Sequence, residues 1–476
     1  MEFERVMDDF IYRGGAGEGT AGGKACEGQS VALSRSAGQG GGELFCEGVP
    51  LSKIAAEVGT PVYVYSYNTL TRHFRVFDEA FSGIPRLICF AMKANSNLAV
   101  VRSFAAMGGG ADVVSGGELF RALKAGVMPS RIVYAGVGKT ASEIEAALKA
   151  GILMFNIESQ EELFAIDGVA GGLGLKAPIA LRVNPDVDAG THPYISTGLK
   201  KNKFGISIEQ AMDEYERAEG LPNVEVVGIH QHIGSQLTET SPFVDSLKKT
   251  AELVKKLKSR GMGIKYIDVG GGLGIRYLNE KPPLPAELAR AIRPVLEDLG
   301  CTLVFEPGRV LTGNAGCLVT KVLYRKSTAE KNFIIVDAGM NDLVRPTLYQ
   351  AYHDIKQVIP TDAPEFPADV VGPICETGDF LAKDRAMRVP RAGELLAVMS
   401  AGAYGFTMSS NYNSRPRAAE VMVDGDRYYI VKRREDYESL IRGEEIPEFL
   451  AGEKAVCDVQ KTRERARKRG RARTRQ

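Results

Sequence analysis

Short apolar strands alternate with helical stretches between residues 87 and 306, and this alternation limits the possible folds more than any other feature of the chain. Eight segments read as strands, at residues 87–93, 111–115, 132–135, 153–157, 179–183, 226–230, 266–269 and 302–306. Between two of them, Thr140 and Glu143 have the spacing of a capping box that opens a helix. Eight such units predict an α/β fold, a closed (β/α)8 TIM barrel, whose active sites lie at the C-terminal ends of the strands.

The rest of the chain predicts a second domain. Beyond about residue 315, strand-like segments without long helices occur at residues 319–324, 333–337, 395–399, 418–423 and 427–431. This pattern of strands without long helices is typical of a mostly antiparallel β domain, to which residues 42–50 could add one strand. An open doubly wound sheet is the competing architecture for the barrel segment, but its first βα turn needs glycines, and here that turn is Met92-Lys93-Ala94-Asn95.

We therefore divide the chain into five segments: a flexible Gly-rich head (1–41), a strand for the β domain (42–60), the barrel (61–314), a C-terminal β domain (315–449) and a basic flexible tail (450–476). The tail carries nine Lys and Arg within residues 461–476, which could contact nucleic acid, although a solvated tail is the commoner outcome. The sequence has no long apolar run, no signal peptide and seven scattered cysteines without a CxxC pair. These features predict a cytoplasmic protein with reduced thiols, no membrane partner and no zinc site of the multi-cysteine kind.

Reactive side chains follow four of the predicted strands. Lys93 ends the first strand, His230 ends the sixth and residues 231–236 follow it, the glycine-rich run 270–274 follows the seventh, and Glu306 ends the eighth, with Arg309 three residues later. Taken singly, each has an ordinary explanation, such as a lysine that reaches solvent, a structural histidine or a tight turn. Together at one barrel face, an amine, an imidazole, a carboxylate and a glycine-rich anion cradle meet the needs of pyridoxal phosphate.

Six motifs carry a resemblance to a known family. They are Phe90-Ala-Met-Lys-Ala-Asn95, His232-Ile-Gly-Ser-Gln236, Gly270-Gly-Gly-Leu-Gly274, Glu306-Pro-Gly-Arg309, Cys375-Glu-Thr-Gly-Asp379 and Ala403-Tyr-Gly405. In this order they resemble the fold-type III pyridoxal-phosphate decarboxylases, and among these the diaminopimelate decarboxylases most. The resemblance covers about residues 43–449 and implies the same two domains.

The resemblance implies a role for each cofactor-binding residue. Lys93 would be joined covalently to the cofactor aldehyde, His232 would stack on the pyridine ring, and Glu306 would pair with the ring nitrogen and keep it protonated. The phosphate would be held by Ser235, Gly272, Gly308, Arg309 and Tyr404. We expect His230, two residues before His232, to point to the opposite face and to be structural.

The resemblance also implies the substrate and the assembly. The segments 196–205 and 345–349 resemble enzymes that decarboxylate meso-diaminopimelate to L-lysine, with Arg309, Arg345, Tyr349 and Tyr404 contacting the substrate and Glu376 reading its distal ammonium. Ornithine has no distal carboxylate, so a buried Arg345 would then lack a partner. Cys375 would donate a proton at the α-carbon and would come, with Glu376, from the second subunit of a homodimer. For Cys375 the alternative is a small buried core residue.

The small departure from the family pattern is Thr377, where serine is usual. Two other functions stay open on the same scaffold. One is a different reaction, as in ornithine, arginine or carboxynorspermidine decarboxylases or an amino-acid racemase. The other is a non-catalytic regulator, which the combination of Lys93, Glu306 and Arg309 disfavours.

Overall fold

The computed structural model describes residues 8–14, 42–187, 203–296 and 298–450. Residues 1–434 and 435–476 form two separate units. The described part of the second unit, residues 435–450, contains one short helix, Tyr437–Leu440. Within the described residues, no helix is both long and apolar enough to cross a membrane. Residues 451–476 of the predicted basic tail and residues 1–7 and 15–41 of the predicted head lie outside the described residues.

The first unit begins with a small antiparallel sheet and one helix that pack against the β domain. Its elements, in chain order, are β1 (Phe10–Arg13), β2 (Glu43–Cys46), β3 (Val49–Pro50), α1 (Leu51–Val58) and β4 (Val62–Ser66). Strands β1, β2 and β3 pair with one another. The backbone N–H of Leu44 donates to the carbonyl of Val358 at 2.7 Å, which ties this sheet to the C-terminal strands.

The barrel follows as alternating helices and parallel strands. Its elements are α2 (Tyr67–Ala80), β5 (Arg86–Ala91), α3 (Leu98–Ala106), β6 (Gly110–Val113), α4 (Gly116–Lys124), β7 (Ile132–Tyr134), α5 (Ala141–Ala150), β8 (Met154–Ile157), α6 (Gln160–Leu173), β9 (Ala177–Asn184), β10 (Ile206–Ser207), α7 (Ala211–Glu219), β11 (Val224–His230), α8 (Ser241–Ser259), β12 (Tyr266–Asp268), α9 (Pro285–Leu296) and β13 (Thr302–Phe305). Strand β8 pairs with β9 and β13 pairs with β5, which closes the ring. The predicted (β/α)8 barrel and its eight strands are confirmed.

Local sequence explains where the barrel helices begin and end. In α5, the Thr140 hydroxyl accepts from the Glu143 N–H and the Glu143 carboxylate accepts from the Thr140 N–H, so the predicted capping box is confirmed. The helix ends at Gly151, whose φ of 72° is the left-handed conformation that glycine adopts without a steric penalty. Helix α4 begins after Ser115, whose side chain accepts from the Glu118 N–H.

The barrel interior has an apolar layer below a polar one. Six buried residues from alternating barrel positions form the apolar layer: Cys89, Val133, Met154, Ala180, Val227 and Val304. Residues two positions further along a strand point to the same face. Thus Asn156 lies above Met154, and Glu306 lies above Val304. The polar layer therefore lies at the C-terminal ends of the strands, where the predicted site residues are.

The C-terminal strands form a mixed sheet. Its elements are α10 (Arg309–Thr312), β14 (Gly316–Ser327), β15 (Asn332–Val336), α11 (Arg345–Tyr349), β16 (Ile355–Gln357), β17 (Glu365–Val371), β18 (Phe380–Arg388), β19 (Leu395–Val398), β20 (Ala419–Asp424) and β21 (Arg427–Lys432). The strand order is β18-β17-β15-β14-β4-β20-β21, with β19 also pairing with β14 and with β16. Pairing is antiparallel except for β15 with β17 and β4 with β20, so the predicted mostly antiparallel domain is confirmed.

Three features differ from the sequence-based boundaries. Residues 62–66, assigned to the barrel segment, form β4, which pairs with β14 and β20 in the C-terminal sheet. All five residues of β4 are buried, so its sequence resembles that of an interior barrel strand. Residues 10–13, assigned to the flexible head, form β1 and pair with β2. Strands β16, β17 and β18 were not predicted, and Pro367 inside β17 obscures its pattern.

Candidate active site

A cavity lies at the C-terminal ends of β5, β11, β12 and β13, with about 580 Å³ of empty volume that includes space open to solvent. Eight predicted cofactor-binding residues line it: Lys93, His232, Ser235, Gly272, Glu306, Gly308, Arg309 and Tyr404. They are separated by up to 311 positions in sequence, and the closed barrel brings them together. The expectation that strand ends converge on one cavity is therefore met by the geometry.

Lys93 points its amine at a buried carboxylate. Its Nζ lies 3.0 Å from Oδ2 of Asp112, whose side chain is fully buried, whereas the Lys93 side chain is 39% exposed toward the cavity. Burial lowers the pKa of the Lys93 amine, but the carboxylates of Asp112 and Glu306 raise it more, so the net shift is upward. Burial and the Glu306 charge raise the pKa of Asp112 to about 6, against the opposing effect of Lys93. The amine is thus held in a fixed direction inside the barrel mouth.

Glu306 lies in a buried polar cluster at the end of β13, the strand that pairs with β5. Its Oε1 accepts from Nδ2 of Asn156 at 3.2 Å, and the same amide donates to Oδ2 of Asp268 at 3.0 Å. Asp268 also accepts from the N–H of Gly270 at 3.0 Å. Nε2 of His230 lies 3.5 Å from Oε2 of Glu306. One amide therefore links two buried carboxylates that have a histidine beside them.

The two carboxylates of this cluster differ in their ionisation. Burial raises the pKa of Glu306, but the adjacent His230, and with it Lys93 and His232, lowers it more, so the net shift is downward. Burial and the Glu306 charge raise the pKa of Asp268 well above its ordinary value. Ligand atoms of His230, Asp268 and Glu306 lie within 4.8 Å of one another. Because amide and backbone N–H groups already donate to these carboxylates, we assign the cluster to holding one anion at Glu306.

His230 corrects one sequence-based expectation. It was expected to face away from the site, but residues two apart on a strand share a face, and His230 points into the barrel beside Glu306. His232 lies above it and lines the cavity. The N–H of Gly271 donates to Nδ1 of His232 at 3.2 Å, which places the ring proton on Nε2. Burial and the nearby Arg182 and Lys93 charges lower the pKa of His232 well below its ordinary value, so the ring is neutral.

Two glycines bring backbone close to the cavity wall. A Cβ on Gly271 would lie 2.2 Å from the carbonyl oxygen of Glu306, and one on Gly272 would lie 2.6 Å from the carbonyl oxygen of Gly234. Gly272 also has a φ of 122°, a conformation that other residues rarely adopt. The glycine run is therefore required by close backbone approach, and the N–H groups of Gly270 and Gly271 donate to Asp268 and His232 beside the cavity.

Arg309 provides the positive charge at this end of the cavity. It is buried, and its Nη2 donates to Oγ of Ser235 at 3.1 Å. Its Nη1 donates to the hydroxyl of Tyr277 at 2.7 Å, and its guanidinium lies 4.7 Å from the ring centre of Tyr404. Nε of Arg309 has no hydrogen-bond partner in the described structure. A buried arginine with spare donors and no ion-paired carboxylate among the described residues is suited to bind an anion.

A second buried arginine lies next to the first. Arg345 begins α11, and its guanidinium lies 4.6 Å from the ring centre of Tyr277. Its Nη1 donates to Nε2 of His353 at 2.7 Å. Tyr349, at the other end of α11, interacts electrostatically with both arginines. The buried guanidiniums of Arg309 and Arg345 therefore flank Tyr277. This arrangement gives the site two places for negatively charged groups.

Comparisons with known proteins identify the family. Residues 67–313, about half of the chain, match the family model described as "Pyridoxal-dependent decarboxylase, pyridoxal binding domain". The diaminopimelate decarboxylase of Pseudomonas aeruginosa is 55% identical over 404 residues, which cover 85% of this chain and 97% of that protein. The chain belongs to the diaminopimelate decarboxylase family. The resemblance stated from the sequence motifs is confirmed.

A solved structure and a second relative also place the chain in this family. The crystal structure of diaminopimelate decarboxylase from Helicobacter pylori complexed with L-lysine has a TM-score of 0.80 and 44% identity, covering 82% of this chain and 98% of that one. A second curated family member, from Vibrio cholerae, is 55% identical over 402 residues, with 84% of this chain and 96% of that protein covered. The match with a pyridoxal-binding domain makes this chain a pyridoxal-phosphate-dependent decarboxylase.

The residues of the cavity fit the cofactor of the diaminopimelate decarboxylase family. Pyridoxal phosphate needs an amine for its aldehyde, an anion for its ring nitrogen and N–H donors for its phosphate. Lys93 and Glu306 both line the cavity, from the paired strands β5 and β13, and Arg309 lines it with an Nε that has no hydrogen-bond partner in the described structure. A side chain at Gly271 or Gly272 would collide with the carbonyl oxygen of Glu306 or of Gly234, so this wall of the cavity requires glycine.

Other predicted residues lie apart from this cavity. Cys375 and Glu376 are exposed and do not line it, so the alternative of a buried core cysteine is wrong for Cys375. The Cys375 N–H donates to Oδ1 of Asn413 at 2.9 Å, which holds the loop on the C-terminal domain. Of the predicted substrate segment 196–205, residues 196–202 lie outside the described residues. The N–H of Gly205 donates to Glu158 at 2.9 Å.

Sequence reasoning missed four residues of the site, namely Asp112, Asn156, Tyr277 and His353. Asp112 and Asn156 carried a signal, because a polar residue within a short apolar strand must face a polar interior or pair with another group. Tyr277, three positions after the glycine run, and His353, in a segment without a motif, carried none. Their contacts with arginines depend on the packing of the C-terminal domain against the barrel.

Proposed function

We propose that the chain catalyses the pyridoxal-phosphate-dependent decarboxylation of meso-2,6-diaminopimelate to L-lysine and CO₂, the last step of lysine biosynthesis. The observation that carries the substrate assignment is Arg345, a buried guanidinium next to the cofactor cavity with no ion-paired carboxylate among the described residues. Such a charge is costly to bury unless a ligand compensates it. A substrate with a carboxylate distant from the reacting carbon supplies that compensation.

In this proposal the Lys93 amine would hold the cofactor through its aldehyde. Asp112 accepts a hydrogen bond from the Lys93 amine and holds it in the cavity. His232, neutral and fixed by Gly271, presents its ring to the cofactor's ring. Ser235, Gly272, Gly308, Arg309 and Tyr404 hold the phosphate. These assignments are supported by the common cavity that the residues line.

When bound, pyridoxal phosphate supplies a conjugated, protonated ring that accepts the electron pair released as the carboxylate leaves. Glu306 keeps the ring nitrogen protonated, since an adjacent anion stabilises that proton. His230 and Asn156 contact the Glu306 carboxylate, which keeps it ionised and directed at the cavity. Phe77, Phe243 and Phe305 contribute apolar surface to the cavity, which would reduce the water around a bound cofactor.

Substrate selection rests on a second set of residues. Arg345, with Arg309, Tyr349 and Tyr404, binds the distal carboxylate, and Glu376 reads the distal ammonium. Arg345 and Tyr349 are four residues apart in the same short helix, so their side chains leave the same face of it. Diamine precursors without a distal carboxylate leave Arg345 uncompensated, which disfavours them by several kcal/mol.

We also propose that the active site is completed by a second subunit of a homodimer. Cys375, as the proton donor at the α-carbon, and Glu376 must reach a reacting centre, yet both are exposed and outside the cavity of their own chain. A symmetric dimer resolves this, because each loop then enters the other subunit's cavity. The described cysteines are all free thiols, which supports action in the reducing cytoplasm.

Mixing two inactive variants tests the shared site. Lys93→Ala and Cys375→Ala proteins are unfolded and refolded together, or co-expressed with different tags. If the site is shared, the mixed dimer has one intact site of two, and random pairing restores about a quarter of wild-type turnover. If both residues act within one chain, mixing restores nothing and the homodimer proposal is wrong.

Product analysis tests the proposed reaction. Purified protein with added cofactor is supplied separately with meso-diaminopimelate, ornithine, arginine and carboxynorspermidine, and amines and CO₂ are quantified. We expect lysine and CO₂ from meso-diaminopimelate only. Turnover of another substrate in its place would assign a different decarboxylase, and no turnover of any substrate by cofactor-loaded protein would favour a non-catalytic role.

A further inference from the structure

Four side chains form a continuous chain of contacts beside the cofactor cavity. Arg309 donates to the hydroxyl of Tyr277 at 2.7 Å, and the guanidinium of Arg345 lies 4.6 Å from the centre of the same ring. Arg345 donates to Nε2 of His353 at 2.7 Å. The imidazole of His353 meets the Tyr277 ring at a centroid distance of 5.3 Å and an angle of 76°, an edge-to-face contact. The two arginines are therefore linked through one tyrosine and one histidine.

The hydrogen bonds of His353 determine its tautomer. Its Nδ1 lies 2.8 Å from the carbonyl oxygen of Met399, and since a carbonyl only accepts, Nδ1 carries the proton. Nε2 then presents a lone pair, which matches the Arg345 guanidinium, a group that only donates. His353 is fully buried, and burial together with the Arg345 charge lowers its pKa to about 3. The imidazole is therefore a neutral acceptor.

A neutral acceptor has a different effect on Arg345 from that of a carboxylate. An aspartate or glutamate in place of His353 would orient the guanidinium but would also neutralise it. Imidazole orients the guanidinium and leaves its charge available to a ligand. Arg309 reinforces this, because two like charges flank Tyr277 and no described carboxylate forms an ion pair with either of them. An arginine without an oriented partner would have freedom to turn away from its neighbour.

We propose that His353 is a positioning residue that holds Arg345 oriented and uncompensated for the distal carboxylate of the substrate, with Tyr277 as the spacer between Arg345 and the phosphate-binding Arg309. This inference rests on the proposed function and goes beyond it, because it assigns substrate discrimination to a residue that does not touch the substrate. The hydroxyl of Tyr277 serves Arg309, and its ring serves Arg345. The two halves of the arrangement can therefore be perturbed separately.

The test compares two ligands that differ in one group. L-Lysine keeps, as its α-carboxylate, the carboxylate of meso-diaminopimelate that is distant from the reacting carbon. The comparison ligand 1,5-diaminopentane is the same molecule without this carboxylate. Dissociation constants of both are measured on the holoenzyme from the change in cofactor absorbance, and their ratio reports recognition of the carboxylate. The variants are His353→Phe, which keeps a ring edge against Tyr277 but removes the acceptor, and His353→Gln, whose amide oxygen can replace Nε2 as acceptor. Tyr352→Phe, at the adjacent position, is the control.

We expect the preference for lysine to fall about tenfold in His353→Phe, the loss typical of a hydrogen bond to a charged group. It should recover most of the way in His353→Gln and stay at the wild-type value in Tyr352→Phe. With meso-diaminopimelate, KM should rise in His353→Phe by a similar factor while kcat falls less than about threefold. Should His353→Phe fail to fold, Tyr277→Phe provides an independent comparison. It should weaken cofactor affinity through Arg309 and change the ligand ratio less than the loss of the His353 acceptor does.

The outcomes separate this inference from the proposed function. If wild-type holoenzyme does not prefer lysine over 1,5-diaminopentane, recognition of a distal carboxylate is wrong, and both proposals are overturned. If the wild type prefers lysine and His353→Phe keeps that preference, or loses affinity for both ligands equally, only the role of His353 is overturned. A change in the ligand ratio in Tyr277→Phe as large as that in His353→Phe would contradict the separate roles of the Tyr277 ring and hydroxyl.

Discussion

The contact between Lys93 and Asp112 makes a quantitative prediction about cofactor capture. Their charged atoms are 3.0 Å apart, and at an effective dielectric constant of about 20 the Coulomb energy at this distance is about 5.5 kcal/mol. The Lys93 side chain is 39% exposed, so solvent screening reduces this to about 2–3 kcal/mol, or about two pKa units. In Asp112→Asn, which keeps the shape and removes the charge, the pKa of the Lys93 amine should fall by that amount.

Only a neutral amine attacks an aldehyde, so this pKa sets the pH dependence of cofactor capture. The assay mixes apoenzyme with pyridoxal phosphate at a series of pH values and follows absorbance. Wild-type rates should still be rising at about pH 10, because the pKa of Lys93 is raised above 10.5. The Asp112→Asn profile should lie about two pH units lower.

Asp78→Asn is the matched control for Asp112→Asn. Asp78 pairs with Arg86 at the opposite end of β5 from Lys93, with a contact of 2.7 Å. Its removal should leave the capture profile at the wild-type position. An Asp112→Asn profile that does not move, or that moves to higher pH, would refute the idea that Asp112 raises the pKa of Lys93.

Three further predictions follow from single groups of the site. Glu306→Gln should retain covalently bound cofactor by absorbance but lose at least about a hundredfold in kcat, because a neutral amide does not hold the ring nitrogen protonated; wild-type turnover would contradict this. Gly308→Ala places a Cβ 3.0 Å from that of Ala94, so cofactor affinity measured by titration should fall about tenfold, and unchanged affinity would show that the loop adapts. The folded-state pKa of His353 is about 3 against an ordinary value of 6.5. The unfolded chain therefore binds more protons there as pH falls below 6.5. Wild type should lose about 1.4 kcal/mol per pH unit of unfolding free energy relative to His353→Gln between pH 6 and 4, and a pH-independent difference in denaturant midpoints would rule this out.

Much of the fold could be predicted from the sequence because barrel strands are local patterns. Each of the eight strands is a short apolar run between helices, and periodicity alone identifies it. Strand β4 shows the limit of this reasoning. Its five buried residues look like a barrel strand, but its partners β14 and β20 lie more than 240 residues away in the chain. Pairing over such distances depends on tertiary packing, which periodicity does not report.

Some residues of the site could be predicted from the sequence, and others depend on tertiary packing. Lys93, Glu306 and Arg309 follow predicted strands, and a closed barrel alone requires their side chains to meet. His230 was assigned to the wrong face, since residues two apart on a strand point the same way. Tyr277 and His353 could not be predicted. Tyr277 lies in a loop, and the position of His353 beside Arg345 is set by its hydrogen bond to Met399, at the end of β19.

The most direct test of the account is to locate the cofactor on the chain. Holoenzyme is treated with borohydride, which makes the bond between the cofactor and a lysine permanent, and is then digested and analysed by mass spectrometry. We predict the pyridoxyl group on Lys93 alone among the chain's lysines, with no labelling in Lys93→Ala. A modified peptide containing any other lysine in place of Lys93, or unmodified Lys93 in turnover-competent protein, would contradict the account.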